Sequence, residues 1–161
     1  MTIGTTSNLS GNQRRKMRSA ARFFAVQALF QMETTDQTAD SVTAEFANFR
    51  FGEEFEDYDM VEADTDMFRR IVSEAVNWQA KIDQMTDRAL VAKWPIARID
   101  PTLRALFRAA GAELMDKDTP PKVVISEFVS VAEAFFPETK EPKFVNAVLD
   151  HMAREARPEG F

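Results

Sequence analysis

Residues 100–114, DPTLRALFRAAGAEL, carry the clearest structural signal in the chain. Asp100 offers a side-chain acceptor to the unpaired amides of a helix start. Pro101 follows it at the first helical position, where a missing N–H does no harm. Leu103, Leu106, Phe107, Ala110 and Leu114 then recur at spacings of three and four, the period of a helix with one buried stripe. A helix of this kind is not stable alone and needs other stripes to pack against.

Those stripes lie on both sides. Upstream, Asp64 or Thr65 can cap a helix from about Asp66, with Phe68, Ile71, Val72, Ala75, Trp78 and Ile82 on one face. This pattern continues, with room for a kink, through Met85, Ala89 and Leu90 until Trp94-Pro95 breaks it. Residues 40–49 form a shorter helix around Val42, Phe46 and Phe49, and residues 14–33 a strong one rich in Ala, Arg, Leu and Gln. Downstream, Thr119-Pro120-Pro121 opens a helix bearing Ile125, Phe128, Val129, Ala132 and Phe136, ended by Pro137. Its β-branched start would allow a strand, but the spacing favours helix. Residues 142–156 close the series with Val145, Val148, Leu149 and Met152. The expectation is an all-α fold: one compact domain of six or seven helices over residues 13–161, after a disordered lead-in at 1–12.

Composition narrows the function classes. With no cysteine in 161 residues, disulfide frameworks, thiolate metal sites and cysteine nucleophiles are excluded. His151 is the only histidine and sits near a helix end, where its charged form mainly suits the helix dipole. No pair of glycines is close enough to cradle a phosphate. The acidic run at 53–57 lacks the spacing and glycine of a calcium loop and reads as a solvated loop. Trp78, Trp94 and the fourteen phenylalanines read mostly as core. These observations predict a binding protein that is not an enzyme, with no cofactor and no metal. No apolar run approaches the roughly 20 residues that span a bilayer, so the expected location is cytoplasmic, without membrane contact.

Charge points to the kind of partner. The net charge is −6, yet residues 1–32 contain no Asp or Glu and hold Arg14, Arg15, Lys16, Arg18 and Arg22. The remaining residues carry 15 basic and 26 acidic side chains. An acidic body with one basic arm focuses a polyanion at the arm and repels it elsewhere. In a helix Arg15, Arg18 and Arg22 share one side, which Ala25, Val26 and Leu29 continue. One face thus changes from guanidinium to hydrocarbon near residue 23. The simplest geometry docks the C-terminal part of this helix in the core and leaves its arginines, Arg22 included, in solvent. The pattern supports nucleic acid without distinguishing RNA from DNA.

Two segments carry a resemblance. RSAARFFAVQALFQ resembles the opening helix of the NusB family of transcription antitermination factors, where an arginine-rich stretch precedes A-V-Q-A-L-aromatic. PPKVVISEFVSVAEAF followed by KFVNAVLDHMA resembles the family's closing helices, with the pattern P-x-K-V-x-I-x-E and then K-F-V-N-x-V-L-D. MFRRIVSEAV and IDPTLRALFRAAGAEL are similar to its middle helices, so the likeness runs from about Arg14 to Ala153. It implies two helical subdomains and a factor that binds the single-stranded boxA-type RNA of ribosomal RNA leaders. It also implies the partners NusE, other Nus factors and RNA polymerase, and it leaves a homodimer open.

By the same resemblance the RNA-binding residues are Arg14, Arg15, Lys16, Arg18, Arg22, Lys143 and Phe144. This chain has Ser19 and Ala20 where many relatives place more arginine. Phe144 lies at the edge of an apolar stripe, where it can stack on a base or serve as core. Asn146 and Asp150, one turn apart, can hydrogen-bond each other or cap a neighbouring segment. The resemblance puts the protein-partner face around the 101–116 helix, where Leu103 replaces a frequent acidic residue. Two other readings stay open: the NusB-like domain of a ribosomal RNA cytosine methyltransferase, and a protein–protein adaptor without RNA binding.

Overall fold

The computed structural model describes residues 10–50, 63–90 and 95–161. Among these are seven α-helices: α1 (Gly11–Thr34), α2 (Ala39–Glu45), α3 (Thr65–Asn77), α4 (Gln79–Ala89), α5 (Pro101–Met115), α6 (Pro121–Phe135) and α7 (Glu141–Ala156). No strand occurs among the described residues, so the all-α expectation holds. The acidic run at 53–57, Trp94 and residues 1–9 of the expected lead-in lie outside them.

The sequence punctuation acts as the capping rules require. The Asp100 carboxylate accepts from the Thr102 amide at 2.7 Å, and the Asp64 carboxylate accepts from the Met67 amide at 3.0 Å. Helix α1 begins earlier than expected. Ser10 and Gln13 form a reciprocal capping box, the Gln13 amide donating to Ser10 Oγ at 3.1 Å and the Ser10 amide to Gln13 Oε1 at 2.9 Å. The helix therefore starts at Gly11, inside the stretch assigned to the lead-in. The kink allowed beyond Ile82 falls earlier and is a break, with α3 ending and α4 beginning at Trp78. Helix α2 runs on into a π turn at Phe46–Arg50.

Helix α5 is the axis of the molecule. Leu103, Ala105, Leu106, Phe107 and every residue from Ala109 to Leu114 are buried. It packs against α1 and α3 in one group of helices and α4, α6 and α7 in another, and α1 also meets α6. The two helical groups share α5, and one continuous core runs through both. Close approach of α4 depends on Gly111, where a Cβ would stand 2.4 Å from Ile82 Cγ2. Ion pairs fix the direction of α1: Arg22 meets Glu113 near the end of α5, and Glu33 meets Arg104 near its start, so the two helices are antiparallel. Helices α6 and α7 pack together after the turn at 136–140, in which Glu138 takes a positive φ of 59°.

Not every large apolar side chain enters the core. Trp78 is 44% exposed at the α3–α4 corner, its indole N–H donating to Glu74 at 2.9 Å. The helix break turns it out of the stripe in which periodicity had put it. Phe30, Phe144 and Phe161 are also partly exposed.

Candidate nucleic-acid interface

The first turns of α1 lie at the edge of the domain. Arg14, Arg15, Lys16 and Arg18 are all exposed. Among the described residues, no carboxylate pairs with Arg15, Lys16 or Arg18. The row is anchored below by the backbone: the Asp64 amide donates to the Met17 carbonyl at 3.0 Å, tying α1 to the cap of α3. Three cations within one turn repel one another mildly, and a polyanion relieves that repulsion and releases its counterions.

Arg22 does not belong to this row. It is 3% exposed, and each of its three guanidinium nitrogens donates to a carboxylate. Nε and Nη2 donate to the two oxygens of Glu113, each at 2.8 Å, and Nη1 donates to Glu127 Oε1 at 2.8 Å. Burial, the strongest influence, opposes the charge. The two-point bond to Glu113 and the fields of both carboxylates outweigh it and hold the guanidinium above its ordinary pKa. The expected switch from guanidinium to hydrocarbon occurs, but one turn earlier than residue 23. Carboxylates from α5 and α6 draw Arg22 inside, where it joins three helices and is not available to a ligand.

The sequence carried a sign of this. Glu113 stands at the three- and seven-residue spacing from Ala110 and Leu106, on the apolar stripe of α5. Arg22 stands likewise on the stripe of Val26 and Leu29. Opposite charges on two facing stripes are stable only as a pair. Glu127, the glutamate of P-x-K-V-x-I-x-E, completes the cluster, and its Oε1 also accepts from the Ser19 hydroxyl at 2.8 Å.

The second half of the interface is approached through aromatic stacking. Phe23 of α1 stacks on Phe135 at the end of α6, with ring centroids 4.7 Å apart and planes 4° from parallel. The turn at 136–140 leads from Phe135 into the start of α7, where Lys140 and Lys143 are exposed. Phe144 meets the fully buried Phe107 edge-on at 6.1 Å and remains 36% exposed. It is therefore both core edge and accessible aromatic surface. Of Asn146 and Asp150, for which a mutual bond or a capping role was expected, Asp150 pairs with Arg154 at 2.9 Å and Asn146 is exposed.

Most of the 101–116 helix, the expected partner face, is buried. Leu103 is buried, and Arg104 and Arg108, which reach the surface, are held by Glu33 and Asp83. Accessible surface remains at Met115 and Asp116 and at the N-terminal end. There Thr102 lines an open groove of about 370 Å³ with Val26, Phe30, Phe46 and Phe135. Among the described residues no group of carboxylates and histidine could hold a metal ion, and no helix is long and apolar enough to cross a membrane.

Known proteins share this plan. The NusB family model matches residues 19–154. The chain is 46% identical to the transcription antitermination protein NusB of Maricaulis maris, over 99% of this chain and the whole of that protein. It is 44% identical to that of Granulibacter bethesdensis, over 93% and 95% of the two chains. Among solved structures it is similar to T. maritima NusB, with a TM-score of 0.69, 31% identity and 92% and 96% coverage. A NusB crystallised with NusE and dsRNA shares the fold at a TM-score of 0.71 and 22% identity, over 87% and 98% of the chains. The chain belongs to the NusB family.

Proposed function

We propose that this protein is an antitermination factor. In this reading it binds single-stranded boxA-type RNA of ribosomal RNA leader transcripts together with NusE, and with other Nus factors it helps RNA polymerase read through terminators. The observation that carries the reading is the exposed row Arg15, Lys16 and Arg18, with no carboxylate partner among the described residues, on a chain of net charge −6. The family relatives are covered nearly end to end and are named as antitermination proteins, which favours this over a methyltransferase domain.

In this reading the cationic row and Lys143 contact phosphates and fix the register of the strand, while Phe144 stacks on a base. Few phosphates are reached, so the protein alone binds weakly. NusE is assigned to the groove beside Phe30 and Phe135, a concavity of mixed apolar and polar lining that adjoins the Phe23–Phe135 stack. A second RNA-binding protein seated there raises affinity by avidity.

The test is the double charge reversal Arg15→Glu with Arg18→Glu, titrated against boxA-type and scrambled RNA over a salt series. With about three or four phosphate contacts, log affinity of the unaltered protein falls with log salt at a slope of about −2 to −3, and the variant loses most of both affinity and slope. Its helicity and melting temperature stay unchanged because both side chains are exposed. An adaptor without RNA binding would show no salt-dependent RNA shift in either protein.

A further inference from the structure

The cluster beneath the cationic row is not electrically balanced. Arg22 faces two carboxylates, Glu113 and Glu127, and among the described residues no other cation pairs with either. Glu113 has both oxygens occupied by Arg22. Glu127 differs. Its Oε1 accepts from both Arg22 and Ser19, while its Oε2 has no partner among the described residues, although the side chain is only 24% exposed. The side chain is partly accessible, so an acceptor oxygen that the protein itself does not use is open to a ligand. The oxygen is held by a rigid support: the bond to the buried guanidinium fixes the carboxylate, and Ser19 lies one turn from Arg15 on the same side of α1.

We infer that Glu127 is a specificity-determining residue of the RNA site, accepting a hydrogen bond from an N–H or O–H donor of the bound strand. The inference rests on the RNA-binding reading above. A carboxylate beside the arm repels phosphate oxygens and attracts donors, so it discriminates where Arg15 and Arg18 cannot. The donors that RNA offers are the exocyclic amines of its bases and the ribose 2′-hydroxyl, both open in an unstacked single strand. Ser19 and Arg22 act as positioning residues, since they hold Oε1 and leave Oε2 to the ligand. The arm then supplies attraction without sequence information, and the carboxylate at its foot supplies a register point.

The experiment uses the full chain and fluorescence anisotropy at low ionic strength. The unaltered protein is titrated with boxA-type RNA, with the same strand carrying 2′-deoxy sugars, and with strands whose adenine, guanine or cytosine lacks its exocyclic amine. One of these altered strands should bind about tenfold more weakly, the scale of a hydrogen bond to a charged acceptor. Loss with the deoxy strand assigns the 2′-hydroxyl, and loss with one analogue assigns that base. Glu127→Gln should bind the unaltered strand about tenfold more weakly and should no longer distinguish it from that analogue. A merely structural glutamate would weaken binding to all strands alike and keep their ratios.

The inference is overturned if the unaltered protein binds RNA but ranks every altered strand equally, a result that requires no folded variant. It is also overturned if Glu127→Gln folds and keeps the same ratios. Failure of the RNA reading looks different, because then the unaltered protein gives no salt-dependent binding at all.

Discussion

Arg18 and Arg22 stand one turn apart on the same helix and are the same residue type, yet the fold treats them oppositely. Arg18 is exposed with no carboxylate partner among the described residues, whereas Arg22 is buried against two. Nothing in the helix itself separates them. The difference lies in what faces each position: Glu113 and Glu127 reach Arg22, while no carboxylate among the described residues pairs with Arg18. A basic stripe is thus divided by its neighbours into a part that binds outward and a part that holds the domain together.

The most severe way to break that comparison is Arg22→Ala. It leaves Glu113 buried without a partner, and removing one member of a buried ion pair costs about 3–5 kcal/mol. For a domain of this size that lowers the melting temperature by about 10 °C. Arg18→Ala should change stability by less than about 0.5 kcal/mol. Thermal melts of the two variants side by side test the contrast directly. The double variant Arg22→Met with Glu113→Leu sharpens it. If the pair is mainly an electrostatic clasp, apolar replacement of both members recovers most of the loss, because the fully buried carboxylate is gone and Glu127, partly accessible, keeps Ser19.

Phe144 invites a smaller and differently distributed effect. Phe144→Ala should weaken RNA binding by about 1–3 kcal/mol, the worth of one stacked base. Its effect on stability is limited by its partial exposure, although the edge contact with Phe107 is lost. Phe144→Leu keeps the apolar contact and removes the aromatic face. If stacking matters, the leucine variant melts close to the unaltered protein and binds RNA as poorly as the alanine variant. Equal binding by leucine and phenylalanine would return Phe144 to the core.

The fold was legible because its signals are local. Asp100-Pro101 and Asp64 are caps whose chemistry depends on the next few residues, and the stripes of α3, α5, α6 and α7 are periodic within single helices. The errors concern side chains whose surroundings are not local. Trp78 kept the period of α3 but fell on a helix break, where the next turn changes direction. Arg22 had the spacing of an exposed row, while its partners lie 91 and 105 residues away in sequence. Summing charge along the arm could not find Glu113. Asking which charges interrupt apolar stripes could have found it. Glu127 was visible only as a letter in a family pattern, because its two donors, Ser19 and Arg22, come from another helix.

The far end of α1 offers the mildest test of the same comparison. There the signs are reversed, with the carboxylate on α1 and the cations on α5. Glu33 Oε2 accepts from Arg104 Nε at 2.8 Å, and Arg108 stands 3.3 Å from the same oxygen. The hydrogen bond from Arg104 is the leading cause that holds the Glu33 carboxyl below its ordinary value of 4.5. A carboxylate with a depressed pKa contributes stability that is fully present above its unfolded value and disappears as pH falls through its folded one. The Glu33→Gln variant should therefore melt slightly below the unaltered protein at neutral pH. That difference should close as the pH is taken below about 4.5 and through the folded pKa. Glu33 is only partly buried, so solvent screening keeps the effect under about 1 kcal/mol. Arg104 has a further hold, donating to the carbonyls of Ile96 at 2.9 Å and Ile99 at 3.2 Å, and it keeps its place when the carboxylate is neutralised. Arg22 donates to no such carbonyl among the described residues and depends on Glu113 and Glu127. A gap between Glu33→Gln and the unaltered protein that stayed constant down to pH 2 would mean that Glu33 acts by packing, and that the two ends of α1 are held by different physics.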